Sequence, residues 1–186
     1  IEECDALMRR HVSWSLVDEL RASPGRLDRT EVAQPAIFAV QVGLARSWRR
    51  LGISPDTVIG HSMGEVAAAH VAGALTLEDA VELIVLRGQL TEEARGLGAM
   101  AAVERDAERV RATIAALGTD VVVAAVNGPS SCVVSGPAAD LAAATAALER
   151  DGATCLPIPG GYPFHSPLME PCAEALRPAL DGLVAQ

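Results

Sequence analysis

The pentapeptide Gly60-His61-Ser62-Met63-Gly64 constrains the local fold more than any other part of the sequence. The apolar run Thr57-Val58-Ile59 before it predicts a short buried strand, and the alanine-rich run after it predicts a helix from Glu65 to about Ala72. A serine at a sharp strand-to-helix turn matches the nucleophile-elbow pattern G-x-S-x-G, whose glycines let the two elements approach closely. We predict that Ser62 is a nucleophile rather than part of a structural Gly-Ser turn.

A nucleophilic serine needs an oxyanion hole and a base. The backbone N–H of Met63 can point at a developing oxyanion, and the N-terminus of the next helix supports that negative charge. Of the four histidines, His165 is the predicted base, because its loop GGYPFHSPLME is structured by prolines and glycines and can return to the elbow. The other three lie beside the serine, within the following helix or on an amphipathic N-terminal helix: His61, His70 and His11.

An arginine interrupts the apolar side of the helix predicted from Thr76 to about Glu93. At 100° per residue, Arg87 falls about 20° from Ala80 and about 60° from Ile84, within the apolar stripe. A buried guanidinium needs a partner. Periodicity leaves two interpretations open: a structural residue, ion-paired or with a snorkelling stem, or a bidentate clamp for a substrate carboxylate.

The composition narrows the function classes. Half of the residues are hydrophobic but only 3% are aromatic, which favours α/β layering. The net charge of −9 argues against nucleic acid or an anionic membrane as partner, and all fifteen basic residues are arginine, which excludes lysine-based chemistry. The four cysteines show no CxxC spacing, so no metal site is expected, and no signal peptide or 18-residue apolar run is present. These features predict a cytoplasmic protein.

The flanking regions show a regular order of helices and strands. Helical spacing covers residues 1–22 and runs from Thr30 to about Arg50. Residues 98–158 predict the order β-α-β-β-α-β, a ferredoxin-like arrangement that fits a subdomain inserted between two parts of a larger one. The predicted strands are 99–103, 121–126, 132–135 and 153–158, and the predicted helices are 106–117 and 137–149.

The serine elbow, the downstream arginine, the β-α-β-β-α-β segment and the loop histidine together resemble one family. They are similar to the acyltransferase domains of type I polyketide synthases and, more distantly, to malonyl-CoA:acyl carrier protein transacylases of fatty acid synthesis. The matching stretches span nearly the whole chain in the family's order. They are TEVAQPAIFAVQVGLA, VIGHSMGEVAAAHVAGALTLEDAVELIVLRGQL, GAMAAV, VAAVNGPSSCVVSG and YPFHSPLME.

The resemblance implies a role for each matching residue. Ser62 is the acylated nucleophile, His165 its base, and Arg87 the group that binds the free carboxylate of a malonyl-type unit. The Met63 amide forms half of the oxyanion hole. Two further residues match positions that line the family's site: Gln34 and Asn127.

The resemblance also implies a fold and a reaction. The fold class is α/β, with an α/β-hydrolase-like core formed by residues 1–97 and 159–186 and an inserted ferredoxin-like subdomain, residues 98–158. The family's N-terminal GQG segment and a C-terminal segment are absent, so we expect a core incomplete at both ends and impaired activity of the isolated fragment. The reaction moves a malonyl-type unit from malonyl-CoA to the phosphopantetheine of an acyl carrier protein. No bound cofactor is implied, and the partners are that carrier protein and neighbouring synthase domains in a parent polypeptide.

The residues before His165 bear on the choice of acyl unit. Phe164 is bulky and resembles malonyl-selective members, whereas a smaller serine there accompanies methylmalonyl selection. Tyr162 is more typical of methylmalonyl-selective members, and Pro163 is typical of neither. We expect malonyl-CoA to be preferred.

Two alternatives use the same residues differently. A serine hydrolase or thioesterase of the α/β-hydrolase type shares the elbow, but it needs an acid between serine and histidine in the chain. Asp140 and Asp151 lie in that interval, although both fall in the ferredoxin-like segment, and a hydrolase has no use for Arg87. The second alternative is a non-catalytic docking or scaffold module, against which Ser62 and His165 both argue.

Overall fold

The computed structural model describes residues 1–183 and residue 186, and the chain forms two compact units. The helical unit comprises Ile1–Glu92 and Ala175–Gln186, and the sheet unit comprises Glu93–Glu174. The sheet unit includes residues 159–174, which follow its last strand. Within this unit the Gly96 N–H donates to the Gly161 carbonyl at 2.7 Å.

The helical unit is built from amphipathic helices around an apolar core. The predicted helical segment 1–22 is two helices instead of one, because Ser15 caps a new helix and the buried Asp5 carboxylate accepts the Leu16 N–H at 2.5 Å. Phe38 and Ile84, on two of the longer helices, are fully buried. The helices are α1 (Glu2–Met8), α2 (Leu16–Arg21), α3 (Thr30–Arg50), α4 (Gly64–Val71) and α5 (Leu77–Glu92).

Helices α3 and α5 cross at very close range. A Cβ placed on Gly88 of α5 would lie 3.1 Å from the Glu31 Cα and 3.2 Å from the Thr30 carbonyl oxygen of α3. Because glycine has no Cβ, the two backbones can approach until side chains one turn away on each helix meet. The crossing therefore decides which polar side chains of α3 and α5 can form hydrogen bonds with one another.

The predicted strand Thr57-Val58-Ile59 is wrong. The segment forms no strand, and Ile59 is 92% exposed. A strand requires a neighbour that completes its ladder of hydrogen bonds, and the described residues of the helical unit contain no strand that could do so. Apolar sequence alone therefore did not produce the element here.

The turn after this segment depends on Gly60. A Cβ on Gly60 would overlap the backbone of Glu65 and lie 2.6 Å from the Gly64 carbonyl carbon. The chain thus folds back onto the first turn of α4 so tightly that a side chain at this position has no room. The close approach expected for the first glycine of the elbow is present, although the strand before it is not.

The sheet unit has the predicted element order. Its four strands are antiparallel to their neighbours, in the order β2-β3-β1-β4. Val134 of the sheet and Val110 and Leu148 of the two helices are fully buried together in its core. The elements are β1 (Ala99–Glu104), α6 (Ala107–Leu117), β2 (Val122–Gly128), β3 (Ser131–Gly136), α7 (Ala138–Arg150) and β4 (Thr154–Ile158).

The chain continues from β4 through the histidine loop into α8 (Glu170–Ala179), which ends in the helical unit. None of the helices formed by the described residues combines the length and the apolar character needed to cross a bilayer.

The close approach at Gly60 can be tested by substitution. We expect Gly60→Ala to lower the free energy of unfolding by roughly 3 kcal/mol or more, because the methyl group must displace backbone rather than a flexible side chain. Gly43→Ala, inside α3, is the matched control: the nearest atom to its Cβ is 3.9 Å away, and helix propensity should raise stability by up to about 1 kcal/mol. Urea unfolding followed by circular dichroism measures both. Equal stability changes for the two variants would contradict the role of Gly60.

Candidate active site

Ser62 lies in the strained turn that leads into α4. Its φ is 52°, a left-handed conformation that residues other than glycine adopt rarely and at an energetic cost. Two backbone hydrogen bonds of 3.0 Å hold the turn, from the Gly64 N–H to the His61 carbonyl and from the Glu65 N–H to the Ser62 carbonyl. Ser62 thus has the strained backbone conformation expected of a nucleophile elbow, although no strand precedes it among the described residues.

The Met63 amide lies at the N-cap position of α4. The first N–H groups of a helix have no partner within the helix, and the helix dipole adds partial positive charge there. Among the described residues, none accepts a hydrogen bond from the Met63 N–H. This amide is therefore available to an oxygen that acquires negative charge beside Ser62.

Arg87 lies half-buried on α5 and faces Gln34 of α3. Its guanidinium donates to the Gln34 side-chain oxygen, and the ion pairs among the described residues do not include it. Burial lowers the pKa of the Arg87 guanidinium below its usual value, and the negative charge of Glu65 partly opposes this shift. Within the described chain no carboxylate forms an ion pair with Arg87, which favours the second of the two interpretations left open by the sequence.

Two threonines complete the surroundings of this arginine, and neither was predicted from the sequence to be a site residue. The Gln34 amide nitrogen donates to Thr30 Oγ1 at 2.7 Å and to Thr91 Oγ1 at 2.9 Å. The sequence did carry a signal, because Thr30 and Gln34 on α3, and Arg87 and Thr91 on α5, are each separated by four residues and so share a helix face. What the sequence lacked was the contact between the two helices.

The loop that carries His165 is ordered by its own hydrogen bonds. The Ser166 hydroxyl and the Ser166 N–H both donate to the Pro163 carbonyl, at 2.7 and 3.2 Å. His165 is exposed and has a φ of 60°. Ser62 and His165, the two residues predicted to do the chemistry, are thus the only residues other than glycine with positive φ in the described chain. Strain of this kind is common at functional sites.

The aromatic residues before His165 form a stack. The rings of Tyr162 and Phe164 lie 5.1 Å apart between centroids with an interplanar angle of 21°. Tyr162 is buried, and the Arg95 guanidinium lies 5.9 Å from its ring centroid. Phe164 is half-buried.

The predicted site residues divide between the two units. Ser62, Met63, Gln34 and Arg87 belong to the helical unit, and Asn127, Tyr162, Phe164 and His165 belong to the sheet unit. Within the helical unit the structure brings Gln34 and Arg87 into contact, and within the sheet unit it stacks Tyr162 on Phe164. Asn127 is exposed near the end of β2. The pairing of Ser62 with His165 stays a prediction.

Residues considered for other roles are engaged in structural contacts. His70 Nδ1 lies 3.1 Å from the Leu75 carbonyl. Asp140 accepts the Asp120 N–H at 3.0 Å, and Asp151 forms an ion pair with Arg105. The described residues contain no cluster of histidine, cysteine or acidic side chains that could hold a metal ion. Both aspartates considered for the hydrolase alternative therefore already have structural partners.

Known proteins are similar to this chain over all or nearly all of its length. A family model described as an acyl transferase domain matches residues 1–186. Erythronolide synthase EryA2 of Saccharopolyspora erythraea is 46% identical over 178 residues, which cover 95% of this chain and 5% of that protein. The mycoketide-CoA synthase of Mycobacterium tuberculosis is 42% identical over 185 residues, which cover 98% of this chain and 4% of that protein. The chain thus spans only a small fraction of these curated relatives.

Solved structures agree with the family match. The acyltransferase domain from module 8 of the salinomycin polyketide synthase superposes with a TM-score of 0.93 at 44% identity, covering 100% of this chain and 44% of that chain. The malonyl CoA-acyl carrier protein transacylase from Burkholderia pseudomallei superposes with a TM-score of 0.88 at 31% identity, covering 100% of this chain and 65% of that chain. The mixed α/β fold is that of acyltransferase domains, as the motifs around Ser62, Arg87 and His165 indicated, and the chain belongs to the acyl transferase domain family.

Proposed function

We propose that this chain transfers a malonyl-type acyl group from CoA to the phosphopantetheine thiol of an acyl carrier protein, through an acyl-serine intermediate at Ser62. One observation carries the proposal. The half-buried Arg87 guanidinium pairs with a neutral amide instead of a carboxylate, in the same unit as the strained serine turn. A positive charge held in this way is suited to bind a carboxylate that arrives with the substrate.

In the first half-reaction, the Ser62 hydroxyl attacks the thioester carbonyl of the acyl-CoA while His165 accepts the hydroxyl proton. The carbonyl oxygen becomes an oxyanion, to which the Met63 N–H donates. When the tetrahedral intermediate collapses, the carbon–sulfur bond breaks. The CoA sulfur leaves with the proton from His165, and the acyl group stays on Ser62 as an ester.

The second half-reaction reverses these steps with a new thiol. The phosphopantetheine thiol gives its proton to His165 and attacks the ester carbonyl. The bond between the acyl carbon and Ser62 Oγ breaks, and His165 returns the proton to the serine. No redox agent or resident cofactor is needed, because the energy of one thioester is conserved in another.

The same proposal extends to the fold and to the partners. We assign residues 1–97 and 159–186 to an α/β-hydrolase-like core and residues 98–158 to a ferredoxin-like subdomain. The β2-β3-β1-β4 order and the β-α-β-β-α-β sequence of elements support the second assignment. The synthases that the chain resembles support a multidomain polypeptide in which neighbouring domains and an acyl carrier protein are its partners.

The acyl unit that we propose is malonyl. The bulky Phe164 ring stacks on the buried Tyr162 ring, a contact that restricts its movement. On the strength of the family resemblance, we assign it to the space beside the substrate α-carbon. We also assign Asn127 to the lining of the site, on the strength of the family resemblance. A rigid aromatic wall beside His165 would exclude an α-methyl group by overlap.

The acyl-serine intermediate gives the first test. Mass spectrometry of the intact polypeptide after incubation with malonyl-CoA should show a malonyl adduct on Ser62, and Ser62→Ala should abolish the adduct and reduce transfer at least about a thousandfold. Ser47→Ala, which removes an exposed serine hydroxyl bonded to the Gly43 carbonyl, is the matched control and should leave both unchanged. An adduct that persists in Ser62→Ala would refute the assignment of the nucleophile.

The carboxylate clamp gives the second test. Arg87→Ala should lower kcat/KM for malonyl transfer by roughly a hundredfold or more, because the substrate carboxylate loses its charged partner. Transfer of acetyl, which has no free carboxylate, should be retained or increased. Arg50→Ala, at the exposed end of α3, is the control and should leave the malonyl-to-acetyl ratio unchanged. Intact malonyl transfer in Arg87→Ala would contradict the carboxylate clamp on which the proposed function rests.

The aromatic wall gives the third test. In competition between malonyl-CoA and methylmalonyl-CoA for Ser62, the parent protein should load malonyl preferentially. Phe164→Ser should shift the ratio toward methylmalonyl by roughly tenfold, since one added methyl group is worth about that much in a shaped pocket. Phe164→Tyr keeps the ring and should keep the malonyl preference. Preferential methylmalonyl loading by the parent protein would overturn the assignment.

A further inference from the structure

The Gln34 amide lies in a closed ring of hydrogen bonds that starts and ends on Arg87. The Thr91 hydroxyl donates to the Arg87 backbone carbonyl at 2.7 Å, and it accepts from the Gln34 amide nitrogen at 2.9 Å. The Gln34 amide oxygen in turn accepts from the Arg87 guanidinium. The Thr91 hydroxyl also lies 3.3 Å from the Gly88 carbonyl, a second acceptor for its hydrogen. A guanidinium can only donate, so the amide oxygen of Gln34 must face Arg87, and its nitrogen must face the threonines.

The Thr30 hydroxyl also stabilises this orientation of the Gln34 amide. Its Oγ1 accepts the second hydrogen of the Gln34 amide nitrogen at 2.7 Å, so both amide donors are used. Rotating the amide by 180° would bring its NH₂ group against the guanidinium and leave donors facing donors. Gln34, Thr30 and Thr91 are 4%, 6% and 7% exposed, so water cannot readily replace any of the lost bonds.

From this ring we infer that Gln34 is a positioning and specificity-determining residue, one that holds the Arg87 guanidinium in place with a neutral acceptor and so reserves its positive charge for the substrate carboxylate. The inference rests on the proposed function, since it concerns the selection of carboxylated acyl groups by the same site. Gln34 acts through Arg87 and does not take part in the chemistry at Ser62.

The inference depends on the side chain of residue 34 being uncharged. Glutamate has nearly the same shape as glutamine, and in its place would offer Arg87 a charged acceptor at the same position. Charge-assisted hydrogen bonds of this kind are roughly twice as strong as neutral ones. A substrate carboxylate would then have to compete with an internal one for the same guanidinium, whereas an uncharged acyl group would not.

The test compares malonyl and acetyl transfer from CoA to an acyl carrier protein, with kcat and KM measured separately in the intact polypeptide. Gln34→Glu should lower the ratio of malonyl to acetyl kcat/KM at least tenfold, mainly through a higher KM for malonyl-CoA. Gln89→Glu adds the same charge to α5 two residues from Arg87 and should change the ratio less than about twofold. A ratio unchanged in a folded Gln34→Glu protein would overturn the inference.

A second pair of variants tests the ring without adding charge. Thr91→Val removes the hydroxyl that orients the Gln34 amide, and it should lower the malonyl-to-acetyl ratio severalfold. Thr91→Ser keeps the hydroxyl and should restore the ratio. Thermal unfolding is measured for every variant, and the Thr91 pair decides the question if Gln34→Glu does not fold. Equal ratios for Thr91→Val and Thr91→Ser would count against the ring.

Arg87→Ala separates this inference from the proposed function. If Arg87→Ala leaves the malonyl-to-acetyl ratio unchanged, the carboxylate clamp itself is wrong and the proposed function fails. If Arg87→Ala collapses the ratio while Gln34→Glu and Thr91→Val do not, the clamp stands and only the role of Gln34 fails. If the malonyl-to-acetyl ratio falls sharply in all three variants, the result supports both the proposed function and the role of Gln34.

Discussion

The crossing of α3 and α5 is the contact on which the helical unit depends. Its close range rests on Gly88, where any side chain would press on the backbone of the other helix at Glu31. The same approach brings Gln34 within hydrogen-bonding distance of Arg87 and Thr91. One packing feature thus sets both the approach of the two helices and the surroundings of Arg87, because a guanidinium without an ion-pair partner can stay half-buried only where polar groups accept its hydrogen bonds.

Backbone strain distinguishes the two predicted catalytic residues from the rest of the chain. Ser62 and His165 both adopt left-handed backbone conformations, in loops that several hydrogen bonds stabilise. Such conformations persist only when the surroundings compensate for their cost. In the serine turn the compensation includes Gly60, which lets the chain fold back onto α4. In the histidine loop it includes Ser166, whose hydroxyl and amide both bind the Pro163 carbonyl.

Local sequence predicted most of the secondary structure, because the information needed was local. Apolar periodicity and capping residues located the helices to within a few residues, and the alternation of strands and helices predicted the element order of the sheet unit. Two segments differ from their predicted secondary structure, each for a physical reason. The segment Thr57-Val58-Ile59 did not become a strand because a strand requires a partner, and the run 1–22 broke because Asp5 and Ser15 provide better hydrogen bonds at a second helix start.

The sequence by itself determined the residues to which we assign the chemistry: a serine between glycines, an arginine on an apolar helix face, and a histidine in a proline-bounded loop. It also determined the family, through motifs in a fixed order. Only the tertiary structure decided what Arg87 pairs with, since periodicity cannot distinguish a core carboxylate from a neutral amide. The partner, Gln34, lies 53 residues away in the chain and meets Arg87 because two helices cross at a glycine.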